Sequence, residues 1–204
     1  MIRPQADSRG LRLTSPTITI FDLEYTAWEC SMARHWLTPG EFREVVQIGA
    51  VKLDADSFAV LDQFDRLVRP RINPLLSPYF EKLTGITSRQ IARDGEDFAT
   101  AYAGFLDFAG EGPIAAFGRD DRALQDNLRL YGMTRARALP LFYDLRGWFA
   151  ALGLDPRGMQ SLDLASALGV PFQGRAHNAL DDAKSVAAVM AVLASRGTRL
   201  RPAA

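Results

Sequence analysis

Only one cysteine, Cys30, and two histidines, His35 and His177, occur in the 204 residues. A lone cysteine excludes an intrachain disulfide and any zinc site built on several thiolates. It also makes a reducing, cytoplasmic setting the default expectation. Long apolar runs are missing: none approaches the roughly 20 residues that span a bilayer, so no membrane association is expected. The opening stretch MIRPQADSRGLRLTSPT has no apolar core of the signal-peptide kind. Neither sign of charge is in excess, with 24 Lys and Arg against 24 Asp and Glu. A zero net charge argues against coating nucleic acid by bulk electrostatics. It leaves room for a local basic rim hidden by an acidic cluster.

What remains is an ordinary globular composition, 48% hydrophobic and 24% charged, in a length that suits one domain. Residues 1–16 read as a polar tail, 17–195 as a single folded unit and 196–204 as a short basic tail. Strands are expected at Thr17–Phe21, Glu44–Leu53 and Val60–Val68, the last two joined by the turn-rich DADSFA. Short helices follow at Pro78–Thr84 and Ser88–Ala92, then a longer one at Asp97–Ala109. A strand at Pro113–Phe117 leads into an amphipathic helix at Asp120–Tyr131. Another strand is expected at Leu139–Tyr143 despite Pro140. Helices at Ser161–Leu168 and Leu180–Ala194 complete the chain. Three strands followed by alternating helices and strands imply an α/β fold, a mixed five-stranded sheet with helices packed on its faces.

Chemistry concentrates in three acidic segments. In IFDLEYT, Asp22 and Glu24 lie two apart at the end of the first strand, so their side chains share one face. Adjacent carboxylates repel, and a hard divalent cation removes that penalty. In AAFGRDDRALQDNL, Asp120, Asp121 and Asp126 sit on or near a helix start, where acids are favoured in any case. Local chemistry does not choose between them. In HNALDDAKSVAAVM, His177 precedes the last helix and Asp182 falls in its first turn. Each segment alone also has a bland reading as solvated acids or helix-start residues. Together, at the ends of strands and helices that converge on one sheet edge, they make a complete set for metal-assisted phosphodiester hydrolysis.

These three segments resemble the motifs of the DEDDh 3′→5′ exonucleases, a superfamily with a ribonuclease-H-like fold. Asp22 and Glu24 match its Asp-x-Glu motif, and His177 and Asp182 match its His, four residues, Asp motif. EVVQIGAVKLD and FEKLTGITSRQI look like the family's second strand and its Leu-Thr-Gly-Ile helix turn. FGRDD is similar to the sporulation-inhibitor-like and histone-mRNA-trimming branch, where two residues stand between an aromatic-Gly pair and the motif Asp, so that Phe117 and Gly118 point to Asp121. The histidine places the chain with the His type rather than the Tyr type.

The resemblance implies a hydrolase that shortens single-stranded RNA or DNA from its 3′ end and releases nucleoside 5′-monophosphates. Asp22, Glu24, Asp121 and Asp182 would hold two Mg²⁺ or Mn²⁺ ions, about −4 against about +4 in charge. His177, with an ordinary pKa of about 6.5, would be the general base. Tyr25, Trp28, Phe80, Leu83 and Arg122 are the candidate substrate contacts, with Arg119, Arg129 and Arg175 as further candidate phosphate contacts. The partner is a nucleic-acid 3′ end, and a homodimer is a default expectation for a soluble enzyme. Two other readings share the pattern: a catalytically idle binding or scaffold module on the same fold, and a diesterase for dinucleotides or other small substrates.

Overall fold

A computed structural model describes residues 15–195 except 155, 172 and 173; the expected tails lie almost wholly outside the described residues. The first strand, β1 (Thr17–Tyr25), runs antiparallel to β2 (Val45–Asp54), which pairs antiparallel with β3 (Val60–Leu67). On its other side β1 pairs parallel with β4 (Ile114–Ala116), and β4 pairs parallel with β5 (Phe142–Asp144). The sheet order is therefore β3-β2-β1-β4-β5, with β1 at the centre.

A central strand is buried on both faces, and the alternation of β1 shows which layer each residue serves. Ile18 and Ile20 face one core, with Val51 and Leu53 of β2 and Ala115 of β4. Phe21 and Leu23 face the other, with Ile48, Ala50, Ile114 and Ala116. The first face is covered by α5 (Leu145–Ala151), α6 (Ser161–Ala167) and α7 (Ala179–Ser195). The second is covered by α3 (Phe98–Ala109) and α4 (Asp120–Leu130). Two short helices, α1 (Pro78–Thr84) and α2 (Ser88–Asp94), close a smaller core of Val46, Leu76, Phe80, Ile86 and Ile91.

Helix starts follow their caps. Ser77 caps α1 with Pro78 in its first turn, Thr87 and Gln90 form a capping box on α2, and Asp97 caps α3. Along α7, Ala183, Val186, Ala187, Met190 and Leu193 are all buried; each large side chain contributes about 1.5–3 kcal/mol by leaving water. None of the described helices is long and apolar enough to cross a membrane.

Most element ends fall within one or two residues of the sequence expectation, with three larger differences. β1 continues through Asp22 and Glu24 to Tyr25, because pairing with β2 extends past the apolar residues. β5 begins at Phe142 rather than Leu139, beyond the proline that removes a ladder donor. Its last residue, Asp144, accepts from the Arg146 N–H and opens α5, a helix whose seven residues were too few to give a periodic signal.

A buried carboxylate anchors the approach to β2. Glu44 is 0% exposed and accepts from the backbone N–H groups of Arg71, Ile72 and Asn73 at 2.7, 2.8 and 2.6 Å. The Tyr131 hydroxyl donates to it at 2.6 Å. One charge thus ties the segment after β3 and the end of α4 to the start of β2.

Candidate active site

The period-two geometry of β1 sends Asp22 and Glu24 to the face that carries Ile18 and Ile20, the face that α7 covers. Opposite them on β2 stand Gly49 and Gln47. Both partners serve the start of α7. The Gln47 side-chain oxygen accepts the Ala179 N–H at 3.0 Å, while its amide donates to Asp65 at 2.8 Å. Gly49 lies directly under the helix: a Cβ there would come within 2.1 Å of the Leu180 nitrogen. The missing side chain lets α7 begin against the sheet, and Asp182, in its first turn, reaches the β1 carboxylates. Oxygens of Asp22, Glu24 and Asp182 lie within 4.8 Å of one another. A set of three close, largely buried carboxylates suits a hard divalent cation.

The structure separates the two acids that open α4. Asp121, the residue singled out from the sequence, turns away from this cluster. Its carboxylate takes a bidentate pair from Arg119, Nε at 2.8 Å and Nη2 at 2.7 Å. Asp120 lies instead in the field of Asp22 and Glu24. It shares the i, i+4, i+7 face of α4 with the fully buried Leu124 and Asn127. The helix phase thus points to Asp120, whereas the spacing from Phe117 and Gly118 points to Asp121.

Crowding and burial leave these acids reluctant to ionise. The Asp22 carboxyl is held well above the usual range by burial, then by Asp120, Glu24 and Asp182. Burial, Asp182 and Asp120 raise Glu24 to about 8. Burial raises Asp120 to about 7, against a pull from Arg43. Burial raises Asp182 to about 6, although the His177 and Asn178 backbone N–H groups favour its charged form.

These shifts have a direct effect on stability. A carboxyl raised in the folded chain keeps a proton that the unfolded chain has released, so rising pH favours unfolding. Without metal, the melting temperature is expected to fall as pH climbs from about 4.5, the ordinary value for Glu24, to about 8. Mn²⁺ should flatten this slope by binding only the folded chain. Calorimetry across that range with EDTA or Mn²⁺ checks it; a flat metal-free profile would refute the strained cluster.

His177 sits half-buried before α7 with a positive φ of 59°. Burial, then the nearby Arg175, lowers its pKa and keeps the imidazole neutral near pH 7. Its loop is fastened at two points. The Arg175 N–H donates to Asp181 at 2.9 Å, and its Nη2 donates to the Lys82 carbonyl at 3.2 Å. The guanidinium lies so close over Gly85 that a Cβ there would come within 2.3 Å of Nη1. Gly85 has a φ of 76° as the cap of α1, a left-handed position that suits glycine.

The expected substrate contacts divide. Tyr25 packs edge-on against Trp36 at 5.4 Å, with the Arg43 guanidinium over both rings. Burial and the neighbouring Asp120 push its hydroxyl pKa up. Trp28 is half-buried in the turn that follows, with its backbone N–H on Ser31 Oγ at 2.7 Å. Leu83 is half-buried on α1, and Arg122 is exposed on α4. Phe80 is 1% exposed inside the small core, so it packs and offers no face to a base. Gln47, Gly49, Arg43 and Arg146 had no sequence signal, because each acts through a contact with a segment remote in the chain.

The profile of the exonuclease family RNase_T matches residues 19–190. The 3′-5′ exoribonuclease 1 of Mus musculus is 25% identical over 201 residues, covering 90% of this chain and 54% of that protein. The human ERI1 exoribonuclease 3 is 26% identical over 172 residues, covering 76% of this chain and 49% of that protein. This chain spans about half the length of these curated relatives. The solved nuclease domain of 3′hExo, a DEDDh family member bound to rAMP, superposes with a TM-score of 0.75 at 25% identity, over 98% of this chain and 99% of that domain. With its Asp-x-Glu strand, its His-and-Asp helix start and a profile match over most of its length, the chain belongs to the DEDDh branch of the exonuclease family.

Proposed function

We propose that this protein is a metal-dependent 3′→5′ exonuclease that removes nucleoside 5′-monophosphates from the ends of single strands. The observation that carries the reading is the convergence of Asp22, Glu24 and Asp182 beside a neutral histidine. Two Mg²⁺ or Mn²⁺ ions, held by these three and Asp120, would supply the positive charge that phosphodiester hydrolysis needs. Asp120 takes the place expected for Asp121, whose carboxylate is committed to Arg119. His177 accepts the proton of the attacking water, and its lowered pKa keeps it able to do so at neutral pH. The Arg175 contacts with Lys82 and Asp181 hold its loop, so the base stays in place. Tyr25, whose hydroxyl lies in the field of Asp120, Asp22 and Glu24, offers a surface for a terminal base, with Leu83 of α1 as a further candidate. RNA is the favoured substrate, because the curated relatives are named exoribonucleases.

A time course on 5′-labelled RNA and DNA of one sequence, with Mn²⁺ or EDTA, tests the reading. Shortening from the 3′ end only with metal, and faster on RNA, is the expected result. Metal binding without shortening would transfer the assignment to a small-substrate diesterase; absence of both would make the chain a binding module. His177→Ala is expected to lower the rate by about 10²–10⁴-fold. In the native protein, kcat/KM should rise through a pKa below 6.5 and then level off, and His177→Ala should lose that limb.

A further inference from the structure

Two arginines occupy the rim of this site in the same unusual way. β4 and β5 are parallel neighbours with Ala116 opposite Asp144, so the segments leaving them emerge side by side. Arg119 lies on the first of these segments and Arg146 on the second. Each is gripped by an aspartate two residues away along the chain. Asp121 takes Nε and Nη2 of Arg119 at 2.8 and 2.7 Å, and Asp144 takes Nε and Nη2 of Arg146 at 3.1 and 2.8 Å. The two guanidinium groups lie within each other's field, and Arg146 also lies within that of Asp120. Arg119 further rests over the Phe142 ring at 5.7 Å. The arginine side chains stay 41% and 42% exposed.

As a stabilising device the solvent-facing pair of Arg146 and Asp144 contributes little, about 0–1 kcal/mol. The effect of both pairs is geometric. A guanidinium carries five N–H donors, and the aspartate engages one edge, leaving the others directed outward in a fixed plane. Two neighbouring cations fixed in this way lose little freedom when they meet an anion. A third arginine near the carboxylates, Arg43, is committed to Asp126 at 2.7 Å and to the Tyr25 and Trp36 rings.

We propose that Arg119 and Arg146 form a preset seat for backbone phosphates of the strand upstream of the departing nucleotide. The proposal rests on the reading of this chain as a protein that acts on a strand. Asp121 and Asp144 are then positioning residues that aim the two guanidinium groups. The seat recognises phosphodiesters and carries no base preference.

The test is equilibrium binding of a labelled single-stranded RNA of about a dozen nucleotides, with Ca²⁺ present, strand length checked afterwards and KCl varied from about 50 to about 200 mM. For single strands each lost phosphate contact removes about 0.7 from the slope of log affinity against log salt. Arg119→Gln and Arg146→Gln should each show that loss. Arg119→Lys and Arg146→Lys, which keep the charge, should keep the slope while binding more weakly. Unchanged slopes in both Gln variants, with melting temperatures intact, would overturn the seat, as would a native protein that does not bind the strand. Should a Gln variant misfold, native-like affinity in its Lys counterpart would likewise overturn the seat, because a guanidinium engaged with phosphates is not replaced without loss by an ammonium. Reduced slopes in the Gln variants together with no hydrolysis by the native protein in Mn²⁺ would sink the nuclease reading and leave the seat standing.

Discussion

Asp120→Asn is expected to lower single-turnover hydrolysis by about 10³-fold, while Asp121→Asn lowers it about tenfold or less. A lost carboxylate in a metal seat removes several kcal/mol of charge stabilisation, and each 1.36 kcal/mol is a factor of ten. Asp120 lies in the field of Asp22 and Glu24, whereas Asp121 is bound to Arg119. Stability should move in opposite directions. In EDTA at about pH 8, Asp120→Asn removes a strained carboxyl whose pKa is about 7, and the melting temperature rises. Asp121→Asn breaks a pair in which the acid is 6% exposed, and the melting temperature falls by a few degrees. Asp22→Asn and Asp182→Asn should follow the pattern of Asp120→Asn. If Asp121→Asn proved the inactive variant and Asp120→Asn the active one, the motif would revert to the residue the sequence suggested.

The second large effect is expected at Gly49→Ala. An added Cβ would stand 2.1 Å from the Leu180 nitrogen and 2.2 Å from the Ala179 carbonyl carbon, both backbone atoms that cannot swing aside. Helix α7 must lift from β2, weakening the Gln47 bond to Ala179 and carrying Asp182 away from Asp22. Overpacking of this kind costs about 3 kcal/mol, which lowers the melting temperature by roughly 6 °C or more in a chain of this size. A shift of about 1 Å in a catalytic group costs about 10²-fold in rate. Thermal melts and single-turnover rates check both effects. A further readout separates misplacement from simple weakening: the stabilisation that Mn²⁺ gives the native protein should shrink in the variant. Native-like Mn²⁺ stabilisation would show that α7 tolerates the methyl and that Gly49 does not set the metal seat.

The parts of the site visible in the sequence are those fixed by local periodicity. Asp22 and Glu24 share a face because strands alternate, and no long-range knowledge was needed. The apolar stripe from Ala183 to Leu193 revealed α7, and with it the place of Asp182 in the first turn. The choice between Asp120 and Asp121 was not local. Both open a helix, and the turn through Gly118 and Arg119 decides which one faces the sheet. Phe80 was open to two readings, a wedge against a base or plain core packing, and the packing is what its place among Val46 and Ile91 bears out. Gln47 and Gly49 were silent for a related reason: their partners, Ala179 and Leu180, belong to the far end of the domain.

That distance between partners has a consequence for a chain still being made. β1, with Asp22 and Glu24, leaves the ribosome before every other described strand and helix, whereas α7, with Asp182, is the last described helix to emerge. Until α7 settles over Gly49, the nascent polypeptide holds an incomplete carboxylate set and His177 has no fixed position. On the proposed function, a carboxylate set assembled in this order cannot act before α7 has docked, so the first cut is timed by the settling of one helix.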